Sequence, residues 1–106
     1  MIRVIISEKG VPDKELYFDK DEITIGRLQT NSIVLPKSNV SKRHAQIMFH
    51  DGQLTVVDLK STNGTWVNGR KISAPKTIGP QDKIYIGDFT FRAEISGAEE
   101  EAVDVR

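Results

Sequence analysis

Apolar and polar residues alternate with a period of two through most of the chain. Residues 2–7, 15–18, 22–25, 45–50, 53–58, 83–86 and 89–95 each read as a short strand rich in Ile, Val, Phe, Tyr and Thr. Successive side chains of an extended segment point to opposite faces, so this alternation marks strands with one face buried. Turn residues separate the runs. Asp51-Gly52 stands between two of these runs and Asn68-Gly69 between Trp66-Val67 and Arg70-Lys71-Ile72, and both suit two-residue hairpins with positive φ at both positions. Gly87-Asp88 is a weaker signal of the same kind. No stretch of ten or more residues carries a helical stripe. Short strands at frequent turns predict an all-β domain, a sandwich or a barrel. Two longer irregular pieces remain, 28–42 (with a brief strand expected at 33–35) and 59–64. Loops on a rigid β scaffold are where binding residues tend to sit.

At 106 residues the chain suits one domain with one core. The expected boundaries are 1–95 for the domain and 96–106 for an acidic tail or the start of a linker, beginning at Gly97-Ala98-Glu99-Glu100-Glu101. With 38% hydrophobic and 28% charged residues it falls among globular sequences rather than disordered ones. There is no cysteine, which excludes disulfides and thiolate metal sites and suits a reducing compartment. No apolar run approaches the 18 or so residues of a membrane span, and the N-terminus lacks a signal-peptide pattern. A cytoplasmic location is expected.

Net charge is zero but unevenly distributed. Setting aside 96–106, which holds four acids and one base, leaves 14 bases and 11 acids. Arg27, Lys37, Lys42 and Arg43 lie in an acid-free stretch between Glu22 and Asp51, and Lys60, Arg70, Lys71 and Lys76 in another between Asp58 and Asp82. If the fold joins these stretches they form a local anion site; otherwise they are a solvated face.

Four pieces carry candidate chemistry: Gly26-Arg27, Ser41-Lys42-Arg43-His44, Ser61-Thr62-Asn63-Gly64 and Asn68-Gly69. Together they offer a phosphate dianion a guanidinium fork, an ammonium, hydroxyl donors and an amide. Each charge-assisted hydrogen bond contributes on the order of 1.5–3 kcal/mol. Three or four of them, less ordering and desolvation, are consistent with affinity around micromolar.

In this order and spacing, Gly-Arg at 26–27, Ser-x-x-His at 41–44, and Asn-Gly at 63–64 and 68–69 resemble the forkhead-associated (FHA) domain, over about residues 2–95. The resemblance implies a β-sandwich of about eleven strands whose loops at one end read phosphothreonine. It assigns phosphate contacts to Arg27, Ser41 and Thr62, a contact to the phosphate or the peptide backbone to Lys42, and a bond to the ligand main chain just after the phosphothreonine to Asn63. Leu28, Asn39, Arg43 and Asn68 become possible specificity residues, with Asn68 equally suited to forming only its turn. Gln29 and the Gly87-Asp88 turn are further possibilities. Asn39 matches a position where some members carry a base that favours an acidic ligand; a neutral amide here puts that preference in doubt.

Ser41 and His44 invite a nucleophile-and-base reading, but residues three apart in an extended chain face opposite ways and are not expected to meet. The family uses this histidine to shape the site. Gly26, His44, Gly64 and Gly69 are therefore read as structural support, the glycines as backbone permissions. Trp66 is expected in the core or packed on a sheet face. With two histidines, no cysteine and no clustered carboxylates in the loops, neither enzymatic activity nor a metal or other cofactor is expected.

The expected partner is a phosphothreonine-containing protein, the substrate of a serine/threonine kinase, bound by one module of a larger signalling or regulatory protein with a bacterial flavour. No nucleic acid is expected, since net charge is zero and no basic-aromatic stripe exists, and no membrane. The alternative is a phosphorylation-independent scaffold or oligomerisation domain. No threonine precedes Thr24 and none lies in 96–106, so the ends shown offer no self-ligand.

Overall fold

Residues 1–95 are described by the structure, a computed structural model, and the proposed acidic tail lies outside them. Eleven strands form: β1 (Ile2–Glu8), β2 (Val11–Phe18), β3 (Glu22–Gly26), β4 (Ile33–Val34), β5 (Ala45–His50), β6 (Gln53–Asp58), β7 (Trp66–Val67), β8 (Arg70–Lys71), β9 (Lys76–Ile78), β10 (Ile84–Ile86) and β11 (Phe89–Ile95). They pair into a six-stranded sheet, in the order β2-β1-β11-β10-β7-β8, and a five-stranded sheet, in the order β4-β3-β5-β6-β9. The described residues contain no helix, and so none long and apolar enough to cross a membrane.

The period-two pattern is realised as burial. Ile2, Val4 and Ile6 of β1, Ile84 and Ile86 of β10, and Phe89, Phe91 and Ala93 of β11 turn inward from one sheet. Ile23 and Ile25 of β3, Ala45 and Ile47 of β5, and Leu54 and Val56 of β6 meet them from the other. Each large aliphatic or aromatic side chain so buried stabilises the fold by about 1.5–3 kcal/mol.

Three strands differ from the pattern. β2 begins four residues earlier than the alternation shows. As an edge strand its first half is exposed on both faces, and its register comes from β1 (Glu8↔Val11, Ile6↔Lys14), with an irregularity between Ile6 and Glu8. β9 was not expected, because only Ile78 of its three residues is buried. β4 is two residues long and pairs in parallel with β3. At Asp51-Gly52 and Asn68-Gly69 both φ values are positive (53° and 77°, 51° and 86°), whereas the Gly87-Asp88 turn has only Gly87 positive, at 57°.

Register decides which segments share an end. Ile25 pairs with Ala45 and Ala45 with Asp58, so the loops after β3, before β5 and after β6 leave the same end of the five-stranded sheet. The Asp51-Gly52 hairpin closes at the other end, and the Asn68-Gly69 turn closes the short β7–β8 hairpin about half-way along the six-stranded sheet.

Candidate functional site

The first half of the site continues the β3–β5 pairing beyond its strands. The backbone N–H of Arg27 donates to the Ser41 carbonyl at 3.0 Å, that of Leu28 to the Lys42 carbonyl at 3.3 Å, and that of His44 to the Ile25 carbonyl at 2.8 Å. Buried Leu35 and Val40 pin the intervening loop into the core. Gly26 is required by proximity rather than by φ: a Cβ there would lie 2.3 Å from the Lys42 carbonyl oxygen and 2.8 Å from Asn31 Nδ2. Asn31 is itself buried, and its Nδ2 donates to the carbonyls of Leu28 and Lys42, both at 2.8 Å. One amide thereby clamps two loops.

The second half is wound around Asp58. Its carboxylate accepts from the Ser61 backbone N–H (3.2 Å), the Ser61 hydroxyl (2.5 Å) and the buried Thr65 hydroxyl (2.7 Å). Ser61 Oγ in turn accepts the Gly64 N–H at 3.0 Å. Partial burial works against ionisation of Asp58, but the bonds from Ser61 and Thr65 together outweigh it and hold the carboxyl below its ordinary range. The turn also holds Lys60 at φ 58° and Gly64 at φ 89°. An L-residue in the left-handed region is uncommon and is retained where surrounding contacts over-determine it.

Three side chains stitch the halves together. Ser41 Oγ accepts the Thr62 N–H at 2.9 Å, and Asn63 Nδ2 donates to the Asn39 carbonyl at 3.0 Å. The fully buried His44 ring lies between the halves: Nδ1 accepts the Ser41 N–H at 3.0 Å, and Nε2 lies 2.8 Å from the Gly64 carbonyl. A carbonyl can only accept and Nδ1 already accepts, so the ring is neutral with its hydrogen on Nε2. Both nitrogens are engaged with backbone, which leaves no lone pair to take a proton from a nucleophile.

Ser41 and His44 therefore do meet, contrary to the expectation from extended-chain geometry. The contact is through the serine backbone, because residues 41–44 turn instead of running straight. Trp66 is not in the core; it is 39% exposed on the outer sheet face, with its indole N–H directed at the Asn63 carbonyl at 3.5 Å. Asn68 has both ends of its amide engaged with the segment before β10: Nδ2 donates to Asp82 at 2.8 Å and Oδ1 accepts the Lys83 N–H at 2.9 Å. Of its two roles, this geometry supports the turn. Gly69 completes that turn.

The other candidates gather. Arg27 is exposed, and its Nε donates to the Val40 carbonyl at 3.1 Å, which fixes the guanidinium while its two terminal amino groups have no partner among the described residues. The head groups of exposed Lys42 and Arg43, the Thr62 hydroxyl and Asn63 Oδ1 are likewise unpartnered among the described residues. Ser41 Oγ accepts from within the protein, so its own hydrogen is available outward. Leu28 is 40% exposed beside Arg27. Asn39 lies against Gly87, with its Nδ2 3.4 Å from Asp88 Oδ2. The arrangement is a rigid cluster of unsatisfied donors with positive charge and no ligand-facing carboxylate in the three loops, suited to an oxyanion.

Asn31 and Asp58 were missed from sequence. Asp58 had a usable signal, since Asp followed three residues later by Ser is a common local side-chain turn. Asn31 had none beyond being an asparagine in a loop.

The family model of the FHA domain matches residues 23–87. The transcriptional regulatory protein EmbR of Mycobacterium tuberculosis is 40% identical over 72 residues, which cover 68% of this chain and 19% of EmbR, so the chain spans about a fifth of that relative. The FHA domain of CT664 from Chlamydia trachomatis superposes with a TM-score of 0.80 at 25% identity, covering 89% of this chain and 96% of that one. The N-terminal FHA domain of Rad53p from S. cerevisiae, solved in complex with a phosphothreonine peptide, superposes with a TM-score of 0.76 at 28% identity, covering 95% and 98% of the two chains.

Proposed function

Because the chain belongs to the FHA family, we propose that it is a phosphothreonine-dependent protein interaction module, one part of a larger regulatory protein. The observation that carries this is the set of unsatisfied donors that the three loops hold together. Arg27 presents its terminal amino groups to phosphate oxygens while its Nε stays on Val40. Ser41 donates its hydroxyl hydrogen, its oxygen being held by the Thr62 N–H. Lys42 and the Thr62 hydroxyl complete the phosphate shell. Asn63, with Nδ2 fixed on Asn39, offers Oδ1 to a main-chain N–H of the ligand and keeps it extended. Arg43, Leu28 and Asn39 border this shell.

Recognition of this kind has no chemical step, and none is assigned to the module. Its partner is a protein phosphorylated by a serine/threonine kinase, and a cytoplasmic location beside kinase and ATP fits that reading. Threonine is preferred to serine through burial of its methyl, worth about 0.8 kcal/mol, roughly fourfold in affinity.

The test is a titration of phosphothreonine, phosphoserine and unmodified peptide libraries against the wild type, Arg27→Ala and Ser41→Ala. Binding that needs the phosphate and falls at least tenfold in each variant supports the reading, as loss of a charge-assisted hydrogen bond requires. Binding that ignores the phosphate and survives Arg27→Ala would instead establish the scaffold role.

A further inference from the structure

Asn63 divides the rim of the candidate site into two flanks. Its side chain faces Asn39, beyond which Asp88 is exposed, while its carbonyl faces the Trp66 indole. Lys71 stands on that second flank. It is paired with Trp66 across the β7–β8 hairpin, so the two side chains share one sheet face. A Cβ at Gly64 would lie 2.7 Å from Lys71 Cε, 3.3 Å from Lys71 Cδ and 3.3 Å from Trp66 Nε1. The end of the lysine stem therefore lies over the bare Gly64 backbone, one residue from Asn63, and its ammonium is one bond further. Lys71 is exposed and forms no ion pair among the described residues. A lysine whose stem covers an apolar surface keeps its head in water while giving up part of its rotamer freedom.

We infer that Lys71 is a specificity-determining residue: it selects phosphothreonine segments that carry an aspartate or glutamate on the Trp66 flank. The inference rests on the phosphothreonine reading and adds to it a charge direction. The two flanks have opposite sign, Lys71 on one and Asp88 on the other, so an acidic ligand side chain is drawn to the first and repelled at the second. This direction lies outside the phosphate shell itself. It also gives the glycine at 64 a second use, since any side chain there would displace the lysine stem.

The test is fluorescence anisotropy on a phosphothreonine peptide in which Glu or Lys replaces each of the four positions on either side, one at a time. The wild type is expected to prefer Glu over Lys at one or two positions by about fivefold, the scale of an exposed ion pair exchanged for a like-charge contact. That preference should shrink as salt rises from about 50 to 500 mM. Lys71→Met, which keeps the stem over Gly64 and removes the charge, flattens the profile at those positions. Lys71→Glu inverts it there, and both variants keep the discrimination between phosphorylated and unmodified peptide. A flat wild-type profile, or one that Lys71→Glu leaves unchanged, overturns the inference while the phosphothreonine reading stands. If no peptide shows phosphate-dependent binding to the wild type, both fall together.

Discussion

Two regions of this sandwich solve the same problem in different ways. A chain leaving a sheet must find new partners for its backbone N–H and carbonyl groups. Away from the site, Asp51-Gly52 does this by tight hairpin geometry within a few residues of the strands it joins, and Asn68-Gly69 adds to the same geometry one side chain that reaches Asp82 and Lys83. At the site end, loops of many residues are held by side chains that reach from one loop to another: His44 to Gly64, Asn31 to Lys42, Ser41 to Thr62, and Asn63 to Asn39. A hairpin is a local device and its failure is local. A cross-linked loop pair fails as a unit, and that shared support is what holds several donors in fixed relation, as anion recognition needs.

The contrast is broken most severely at His44. Replacing it with alanine leaves the Ser41 N–H and the Gly64 carbonyl without their partner and opens a cavity at a fully buried position. Each orphaned group costs about 1–3 kcal/mol, so His44→Ala is expected to destabilise the domain by about 3–5 kcal/mol in urea unfolding. Phosphopeptide affinity of the remaining folded fraction should fall as well, although the ring touches no ligand. Retained affinity would show the loops to be independent of their common support.

Glycine-to-alanine exchange at both ends sharpens the same point. At Gly26 a Cβ meets the Lys42 carbonyl and the Asn31 amide, neither of which can give way without moving a loop, and a loss of about 1–3 kcal/mol is expected. At Gly52 a Cβ meets nothing within 4 Å, and the cost is only that of alanine at φ 77°, about 1 kcal/mol. Parallel denaturant titrations give the ranking, and only Gly26→Ala should weaken phosphopeptide binding.

How much of this was legible in the sequence follows the same division. The strands and both two-residue hairpins were readable because burial imposes a period and positive φ imposes Asn-Gly or Asp-Gly, both local signals. The candidate donors were readable through their ordered motifs. The supports were not: Asn31 and Asp58 look like any loop asparagine or strand-end aspartate, and their importance comes from groups that only the fold brings near. For the same reason β9 escaped notice, its register being set by β6 (Leu54↔Ile78) rather than by its own pattern. The meeting of Ser41 with His44 depended on a turn in residues 41–44 that alternation does not encode.

The site and the Asn68 turn also each involve one carboxylate held below its ordinary range. At Asp58 burial opposes ionisation and the Ser61 and Thr65 bonds overcome it; at Asp82 the Gly79 N–H and the Asn68 amide hold the charge, with Lys76 adding to them. A carboxyl depressed in the folded state stabilises it fully above the unfolded value, near 3.8, and that contribution is lost as pH falls through the folded value. Unfolding free energy should therefore decline below about pH 4, and Asp58→Asn and Asp82→Asn should each flatten that decline. Only Asp58→Asn should also weaken phosphopeptide binding at neutral pH, because its carboxylate shapes the 61–65 turn.

The smallest expected effect isolates the Asn68 turn from the site. Asn68→Ala removes the acceptor for the Lys83 N–H and the donor to Asp82, and it leaves alanine at φ 51°, which asparagine tolerates better. The turn is exposed, so water replaces the lost partners, and the net cost is about 1 kcal/mol, seen as a lower unfolding midpoint. Binding is the informative measurement. Asn68 belongs to the same ordered motif series as Asn63, and a role in ligand specificity requires its amide to turn from Asp82 and Lys83 toward the peptide. With both ends of that amide engaged by Asp82 and Lys83 rather than by the loops of Arg27 and Ser41, phosphopeptide affinity should stay within about twofold of wild type, the scale of a surface substitution away from the site. A tenfold loss of affinity with an unchanged unfolding midpoint would place Asn68 among the ligand-reading residues and dissolve the separation between the two regions.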